Sequence, residues 1–498
     1  MKILATYTVS NEGVTAEVAV MDRPEEFVNT YELQHAHIKE ATRIALNYLK
    51  EKIIESVQIK VSELLDPREA EKIRKRVVDK AHQLVHDELS GLSKEEEQLL
   101  VGRLTQEMLG LGELELILSD ENLEEIVVNS AQEPVWVYHK KFGWLKTNVV
   151  IASEEQIHNY SSIIGRKVGR QITNLNPLMD AHLLSGNRVN ATLFPISTKG
   201  NSLTIRKFSK DPWTMMKLVD NNTLSLDAAA LFWLCMQYEM NVLVAGGTAS
   251  GKTSFLNSIL AFTPPNQRVV SIEDTRELIL PDFIHWTPLT TRQPNPEGKG
   301  EITMLDLMVN SLRMRPDRIV LGEMRRQNEA EVLFEAMHTG HAVYSTIHAD
   351  QAAQVRSRLT NPPIGLPENM LEALHLVVVQ YRQRRTGARR TFEVAEILPH
   401  GDGICFNQVY KWNARTDKLS RVGKLKRLAE ELELHAGFTP REIDSDLKDK
   451  RDVLAYLQAN KLSDVNGFGR VVASYYRDSG RVMEAVKKKK PPAQLLGG

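Results

Sequence analysis

The sequence predicts an α/β chain of several domains, in which a helical N-terminal extension and an α+β unit precede a layered αβα domain. Three observations predict it. From Asn241 to about Glu396 apolar strands alternate with helical stretches, the pattern of a parallel sheet covered by helices. From Leu123 to Phe208 the runs EEIVVN, PVWVYHK, WLKTNVVI, RVNATLF and SLTIRKF read as strands around one helix, EEQIHNYSSIIGRKV. The third is length: 498 residues exceed what one core fills, since single cores rarely grow past about 250–300 residues.

Taken in order, Met1 to Met21 alternates apolar and polar residues around the turn Asn11-Glu12-Gly13 and reads as a β-hairpin. Tyr31 to about Leu116 carries apolar residues at helical spacing among dense charge, so this stretch is expected to be helical throughout. Those segments define an extension over residues 1–108 and an α+β domain over residues 109–209. Lys210-Asp211-Pro212-Trp213 breaks regular structure and opens an expected linker, residues 210–220. The αβα domain follows over residues 221–423, beginning with the helix LDAAALFWLCMQYEM. Within it TNPPIGLP is a loop, and VVVQYRQRRTGARRTFEVAEIL reads as a hairpin whose tip carries Arg382, Arg384, Arg385, Arg389 and Arg390. Residues 424–486 return to helical spacing, and Lys487 to Lys490 with Pro491-Pro492 reads as the start of a basic, disordered tail over residues 487–498.

Composition narrows the function classes. Lys plus Arg (63) balances Asp plus Glu (64), so no global field marks the chain as a nucleic-acid binder. Cys235 and Cys405 stand in separate segments, which fits a reducing, cytoplasmic compartment and leaves no disulfide framework. No stretch approaches the ~18 apolar residues of a membrane span. A membrane role is therefore expected to be peripheral.

Chemistry concentrates where the strand NVLVA runs into Gly246-Gly247-Thr248-Ala249-Ser250-Gly251-Lys252-Thr253, a G-x-x-x-x-G-K-[ST] phosphate loop, with Ser254 opening the next helix. Glycines let backbone N–H groups turn inward around a phosphate, Lys252 can reach the β- and γ-phosphates, and the Thr253 hydroxyl can ligate Mg2+. A nucleoside triphosphate is the expected ligand. Three further clusters follow. RVVSIEDTREL puts Glu273 and Asp274 at a strand end, where a carboxylate can orient or deprotonate water. RPDRIVLGEMR ends a second strand in Glu323, suited to a Walker-B role. MHTGHAVYSTIHAD sets His338, His341 and His348 around a third. A zinc site is the rival for these histidines, but no Cys partners accompany them, and a His beside the γ-phosphate is the better reading. Arg188 and Arg206, upstream of the linker, would by themselves be unremarkable surface residues.

In their order and spacing, GGTASGKTS, SIEDTREL, LRMRPDRIVLGEMR and AMHTGHAVYSTIHA resemble the Walker A, Asp-box, Walker B and His-box of the type II/type IV secretion ATPase superfamily. Members of that superfamily drive type II secretion, type IV pilus assembly and retraction, archaeal flagellum assembly and conjugative transfer, and the TASGKTS loop and the LRMRPDRIVLGE run look most like its archaeal branch. ITNLNPLMDAHLLSGNRVNATLFP and LTIRKF are similar to that family's N-terminal domain, so the resemblance covers about Leu109 to Leu398. It implies a RecA-like ATPase domain behind a PAS-like α+β domain, forming a homo-oligomeric, hexameric motor. That motor would use ATP and Mg2+ and engage a polytopic membrane platform protein at the inner face of the cytoplasmic membrane. By the same resemblance Lys252 and Thr253 bind phosphate and Mg2+, Glu273 is the general base and Glu323 the Walker B carboxylate. His348 contacts the γ-phosphate region, while Arg188 and Arg206 reach the nucleotide from the other domain. The chain departs from the family after Arg325, where Arg326-Gln327-Asn328 replaces a run that commonly holds a Gly. Two readings compete with a filament-assembling motor: a conjugation-type or DNA-translocating ATPase using the Arg382 to Arg390 hairpin, and a nucleotide-switched scaffold without turnover.

Overall fold

Alternating apolar residues build the first of two units. The computed structural model describes residues 2–35, 40–57, 67–89, 91–183, 186–208, 211–294, 298–383, 385–401 and 403–496. It divides into Met1–Ser209 with Asn295–Lys299, and Lys210–Pro294 with Gly300–Gly498. The first unit carries β1 (Lys2–Asn11), β2 (Val14–Asp22), β3 (Thr30–His35), β4 (Leu123–Val128), β5 (Pro134–His139), β6 (Gly143–Val150), β7 (Leu178–His182), β8 (Arg188–Thr192) and β9 (Ser202–Arg206). They form one nine-stranded sheet in the order β1-β2-β3-β6-β5-β4-β9-β8-β7. Only the β3–β6 pair is parallel.

This sheet corrects the expectation of helix from Tyr31 onward. Tyr31 and Leu33 sit inward on β3, 0% and 4% exposed, and the period-2 spacing of TYELQH wins over the helical pattern that follows it. The phenols of Tyr7 and Tyr31 both donate to Asp120 Oδ2, at 2.7 and 2.9 Å, tying the N-terminal strands to the loop before β4. The expected boundary at residues 108/109 therefore does not separate two compact units. The helices Glu40–Ser56, Pro67–Glu88 and Lys94–Leu109 do pack a core of their own, around Leu49, Ile53, Val77, Ala81 and Leu104. The stretch between the first two, residues 58–66, lies outside the described residues.

The second unit holds β10 (Val242–Gly246), β11 (Val269–Glu273), β12 (Trp286–Thr290), β13 (Arg318–Leu321), β14 (Ala342–Ile347), β15 (Leu376–Arg382), β16 (Arg389–His400), β17 (Gly403–Asn413) and β18 (Lys418–Arg421). Their order is β12-β11-β13-β14-β10-β15-β16-β17-β18. From β12 through β15 every pairing is parallel, and β16, β17 and β18 add on antiparallel. Residues of β10 are buried on both faces in alternation: Val242 and Val244 join one core with the helices Leu226–Gln237 and Lys252–Leu260. Leu243 and Ala245 join another with the helices Met304–Ser311, Gln327–His338 and Ala352–Thr360. A strand covered by helices on both sides must be apolar throughout, which is why NVLVA shows no alternation.

That arrangement creates a crevice. β10 leaves its carboxyl end toward the helix Lys252–Leu260 on one face, whereas its neighbour β14 leaves toward the helix Ala352–Thr360 on the other. Such a switch point is where open α/β sheets bind ligands.

Three expectations change in this unit. The expected linker 210–220 is short: Lys210 lies outside the described residues, and Met215–Asp220 is already a helix capped by Thr214, with Met215 and Met216 in the core. Leu428, Val453, Leu457 and Phe468 share a core with Trp233 and Phe262, so the helices expected as a separate C-terminal segment belong to the same unit. Lys487–Lys490 does not begin a disordered tail either. Lys487 ends the helix Ser479–Lys487, the Tyr456 hydroxyl donates to the Lys490 carbonyl, and Leu495 is 6% exposed. Its apolar Leu495, masked in the sequence by the preceding lysines and prolines, carries the packing. Among the described residues no helix is long and apolar enough to cross a membrane.

Arg318, at the start of β13, is fully buried and donates to Gln267 Oε1, to the Tyr344 hydroxyl and to the Met236 carbonyl. Replacing it leaves those acceptors unpaired in a dry interior. Arg318→Met is expected to lower denaturant stability by about 2–4 kcal/mol, read as a shift in urea midpoint at unchanged slope.

Candidate nucleotide-binding site

The loop from Gly246 to Thr253 spans the crevice end of β10 and the first turn of the helix Lys252–Leu260. Its shape demands glycine at two positions. Gly246 has φ +152°, and an added Cβ would lie 2.4 Å from the Gln380 carbonyl oxygen and 2.5 Å from Ser250 Oγ. Gly251, at φ +94°, caps the helix in the left-handed region. Ser250 is buried and donates to the Gly247 carbonyl at 2.8 Å, while Thr248 and Ala249 are exposed at the loop's crest. Thr253 and Ser254, half-buried, occupy the first turn of the helix, where N–H groups lack intrahelical partners.

Lys252 curls back over this loop, donating from Nζ to the Gly246 and Gly247 carbonyls at 3.0 and 3.1 Å. Burial holds its ammonium below the usual lysine range, and Glu323, Asp350 and Glu277 act in the opposite direction. Their influence identifies those three carboxylates as its electrostatic neighbours. A lysine half out of water, whose ammonium donates to two backbone carbonyls, gains by meeting a phosphate.

At the end of β11, Glu273 is 2% exposed. Its Oε1 accepts from the Glu277 and Leu278 N–H groups at 2.8 and 3.1 Å, while Oε2 is buried with no hydrogen-bond partner among the described residues. Burial pushes the carboxyl up to about 7, against the lowering effect of those two N–H groups. A carboxyl poised near neutrality with one oxygen unsatisfied is suited to accept a proton from water.

Glu323 lies just past β13. His348 Nε2 stands 2.9 Å from its Oε1, and Arg325 donates to its Oε2 from Nε and Nη2 at 2.9 and 2.6 Å. Arg325 Nη1 also reaches Asp274 Oδ2 at 2.9 Å, so one guanidinium bridges the ends of β11 and β13. Burial and the Lys252 charge lower the His348 pKa, keeping the imidazole neutral at pH 7 as a donor or acceptor. Thr346 Oγ1 donates to the Gly322 carbonyl at 2.7 Å and holds this strand end against β14. His338 and His341 take no part: His338 ends a helix, and His341 Nδ1 packs 3.2 Å from the Ala336 carbonyl.

The described second unit thus brings together the phosphate loop, Glu323 and His348, with Glu273 beside Gly322, whose added Cβ would lie 3.5 Å from Glu273 Cγ. Arg188 and Arg206 belong to the first unit, facing each other at one register position of the β8–β9 pair. Arg188 is clamped on Asp180 at 3.1 and 2.6 Å.

Three residues escaped the sequence reading. Asp350 Oδ1 stands 3.1 Å from where a Cβ on Gly247 would be. Arg325 shares a side with Glu323 by the two-residue period of extended chain, which the sequence did offer. Arg389 Nε donates to the Ala249 carbonyl at 3.0 Å, and nothing distinguished it from its neighbouring arginines.

The family described as Type II/IV secretion system protein matches residues 150–398, half of the chain. The uncharacterized protein MJ0900 of Methanocaldococcus jannaschii is 34% identical over 394 residues, 77% of this chain and 71% of the relative. Type IV secretion system protein PtlH of Bordetella pertussis is 32% identical over 307 residues, 55% of this chain and 89% of the relative. The solved structure of the Legionella pneumophila ATPase DotB is similar at a TM-score of 0.39 and 20% identity, over 74% of this chain and 92% of that one. Its site and the match across both units agree: the chain belongs to the type II/IV secretion system protein family.

Proposed function

We propose that the protein is an ATP-hydrolysing, ring-forming motor that powers assembly of a type IV pilus-like filament or a secretion pseudopilus at the cytoplasmic membrane. The observation that carries this reading is the clustering at one end of the sheet: the phosphate loop leaves β10, Glu273 ends β11, and Glu323 lies just past β13 with His348 Nε2 2.9 Å from its Oε1. In this reading Lys252 and the loop's N–H groups hold the β- and γ-phosphates, and Glu273 takes the proton of the attacking water at Oε2. His348 and Arg325 hold Glu323 in place. Thr253 and Glu323 offer hard oxygen donors of the kind Mg2+ takes, and the ion, when bound, would neutralise charge on the β- and γ-phosphates.

Arg188 and Arg206 then supply positive charge to the nucleotide from the first unit, Arg188 exchanging Asp180 for phosphate. In this reading their engagement depends on whether a γ-phosphate is present, and that dependence couples hydrolysis to movement. The basic hairpin speaks against a DNA-tracking role. Arg389 and Arg390 of the basic hairpin are turned into the protein, onto the Ala249 carbonyl and Asp417, and Arg384 lies outside the described residues.

The test is phosphate release from ATP, with and without EDTA. Release that requires Mg2+ is expected; a protein that binds ATP yet releases no phosphate, alone or with membranes holding its platform protein, would support a scaffold instead. The rate should also fall as pH drops through about 7, where the Glu273 carboxyl takes up its proton. A flat profile from pH 8 to 6 would remove Glu273 from the role of base.

A further inference from the structure

The hairpin arginine on the phosphate loop has no part in the function described so far. Arg389 opens β16, and its Nε donates to the Ala249 carbonyl at 3.0 Å. Its Cδ stands 3.5 Å from where a Cβ on Gly251 would be, so the side chain lies along the outside of the loop. Ala249 is a non-glycine residue at φ +57°, a left-handed conformation that costs a non-glycine residue about 1 kcal/mol and persists only where its surroundings hold it. With Ala249 so turned, its carbonyl points to Arg389.

The Arg389 backbone is itself anchored. Its carbonyl accepts from Thr223 Oγ1 at 3.3 Å and from Arg390 Nη1 at 2.8 Å. Arg390 pairs with Asp417 through two bonds of 2.7 Å, and Asp417 also accepts from Trp412 Nε1 and Asn222 Nδ2. The Thr391 N–H donates to the Thr223 carbonyl at 2.8 Å. The segment Asn221–Thr223, which follows the first helix of the second unit, is thereby joined to β16, and β16 through one guanidinium to the crest of the phosphate loop. No other side-chain hydrogen bond from outside the loop to its crest, Thr248 to Ala249, is present among the described residues.

We propose that Arg389 is a positioning residue for nucleotide binding: it fixes the Ala249 peptide so that the loop's N–H groups face the phosphates before nucleotide arrives. It does not touch the reacting atoms. A group that pre-organises the loop favours bound substrate and transition state equally, so its loss raises KM and leaves kcat in place. A merely structural arginine would do the reverse, lowering the melting temperature and the active fraction at unchanged KM.

The proposal rests on the nucleotide-site reading above, and its test is chosen to fail separately from ATP turnover. Affinity for a fluorescent ADP analogue is measured on the full chain for wild type, Arg389→Gln and Arg389→Lys, alongside KM and kcat for ATP and the nucleotide-free melting temperature. For Arg389→Gln, ADP affinity is expected to fall and KM to rise by about ten- to a hundredfold, the range for losing one charge-assisted hydrogen bond. kcat should stay within about twofold and the nucleotide-free melting temperature unchanged. Arg389→Lys keeps a cationic donor and should fall between the two. Unchanged ADP affinity in Arg389→Gln, or a loss of affinity matched by a lower melting temperature in both variants, would overturn the assignment. If wild type binds ADP but does not hydrolyse ATP, the affinity comparison still decides the role of Arg389.

Discussion

Lys252→Ala is expected to lower ATP turnover by about two to three orders of magnitude, the loss seen when one donor to developing charge is removed from a preorganised, dry site. Lys252 supplies the only side-chain ammonium donating to the loop carbonyls among the described residues, at 3.0 and 3.1 Å from Gly246 and Gly247. Removing it takes away both the charge that meets the β- and γ-phosphates and the hold on those two peptides. The nucleotide-free fold should tolerate the change, because burial already disfavours the lysine's charged form. Two measurements therefore separate a lost function from a lost fold: phosphate release, which collapses, and the melting temperature without nucleotide, which does not. The rise in melting temperature that ATP gives wild type should shrink with the affinity. Lys252→Arg should restore little, since a planar fork cannot place its donors as a compact ammonium does on two converging carbonyls. Unaltered phosphate release in Lys252→Ala would sink the assignment of the loop.

The phosphate loop was legible because its requirements are local: Gly246 and Gly251 adopt the left-handed backbone that the spacing of the motif encodes. Glu273 and Glu323 were legible for a related reason, since each ends an apolar run and strand ends face the crevice. What sequence could not show was which partner each would meet. Arg325 bridging Asp274 and Glu323 depends on β11 and β13 being neighbours, a fact of strand order that no local pattern carries. Arg389 is harder still: among five arginines near one turn, the choice of the one that reaches Ala249 follows from β15 pairing with β10 and β16 pairing with β15. β3 was hidden by brevity, six residues set against long helical periodicity. Leu495 was hidden by the charged residues that precede it.

Glu273→Gln should separate catalysis from stability in one substitution. Turnover is expected to drop by about 10²–10⁴-fold, the contribution of a positioned general base, with ADP affinity retained. Stability should move the other way at alkaline pH. Burial raises the folded carboxyl from 4.5 to about 7. Between those values the unfolded chain has released a proton that the folded chain keeps, so wild-type stability falls as pH rises from 4.5 to about 7. The full cost of ionising the buried group persists above that window, and below it both states are protonated and the cost vanishes. Glutamine never ionises. Its oxygen can still accept from the Glu277 and Leu278 N–H groups, but its amide nitrogen takes the place of the buried, unpartnered Oε2. That unpaired donor offsets part of the gain, leaving the variant about 1–2 kcal/mol more stable than wild type at pH 8. As pH is lowered to 5 the advantage should disappear and then reverse. Denaturant melts of both proteins across that range decide the point: a Glu273→Gln variant less stable than wild type at pH 8 would mean that this carboxyl is not held in a site that disfavours its charge, and the argument for it as the base would go with it.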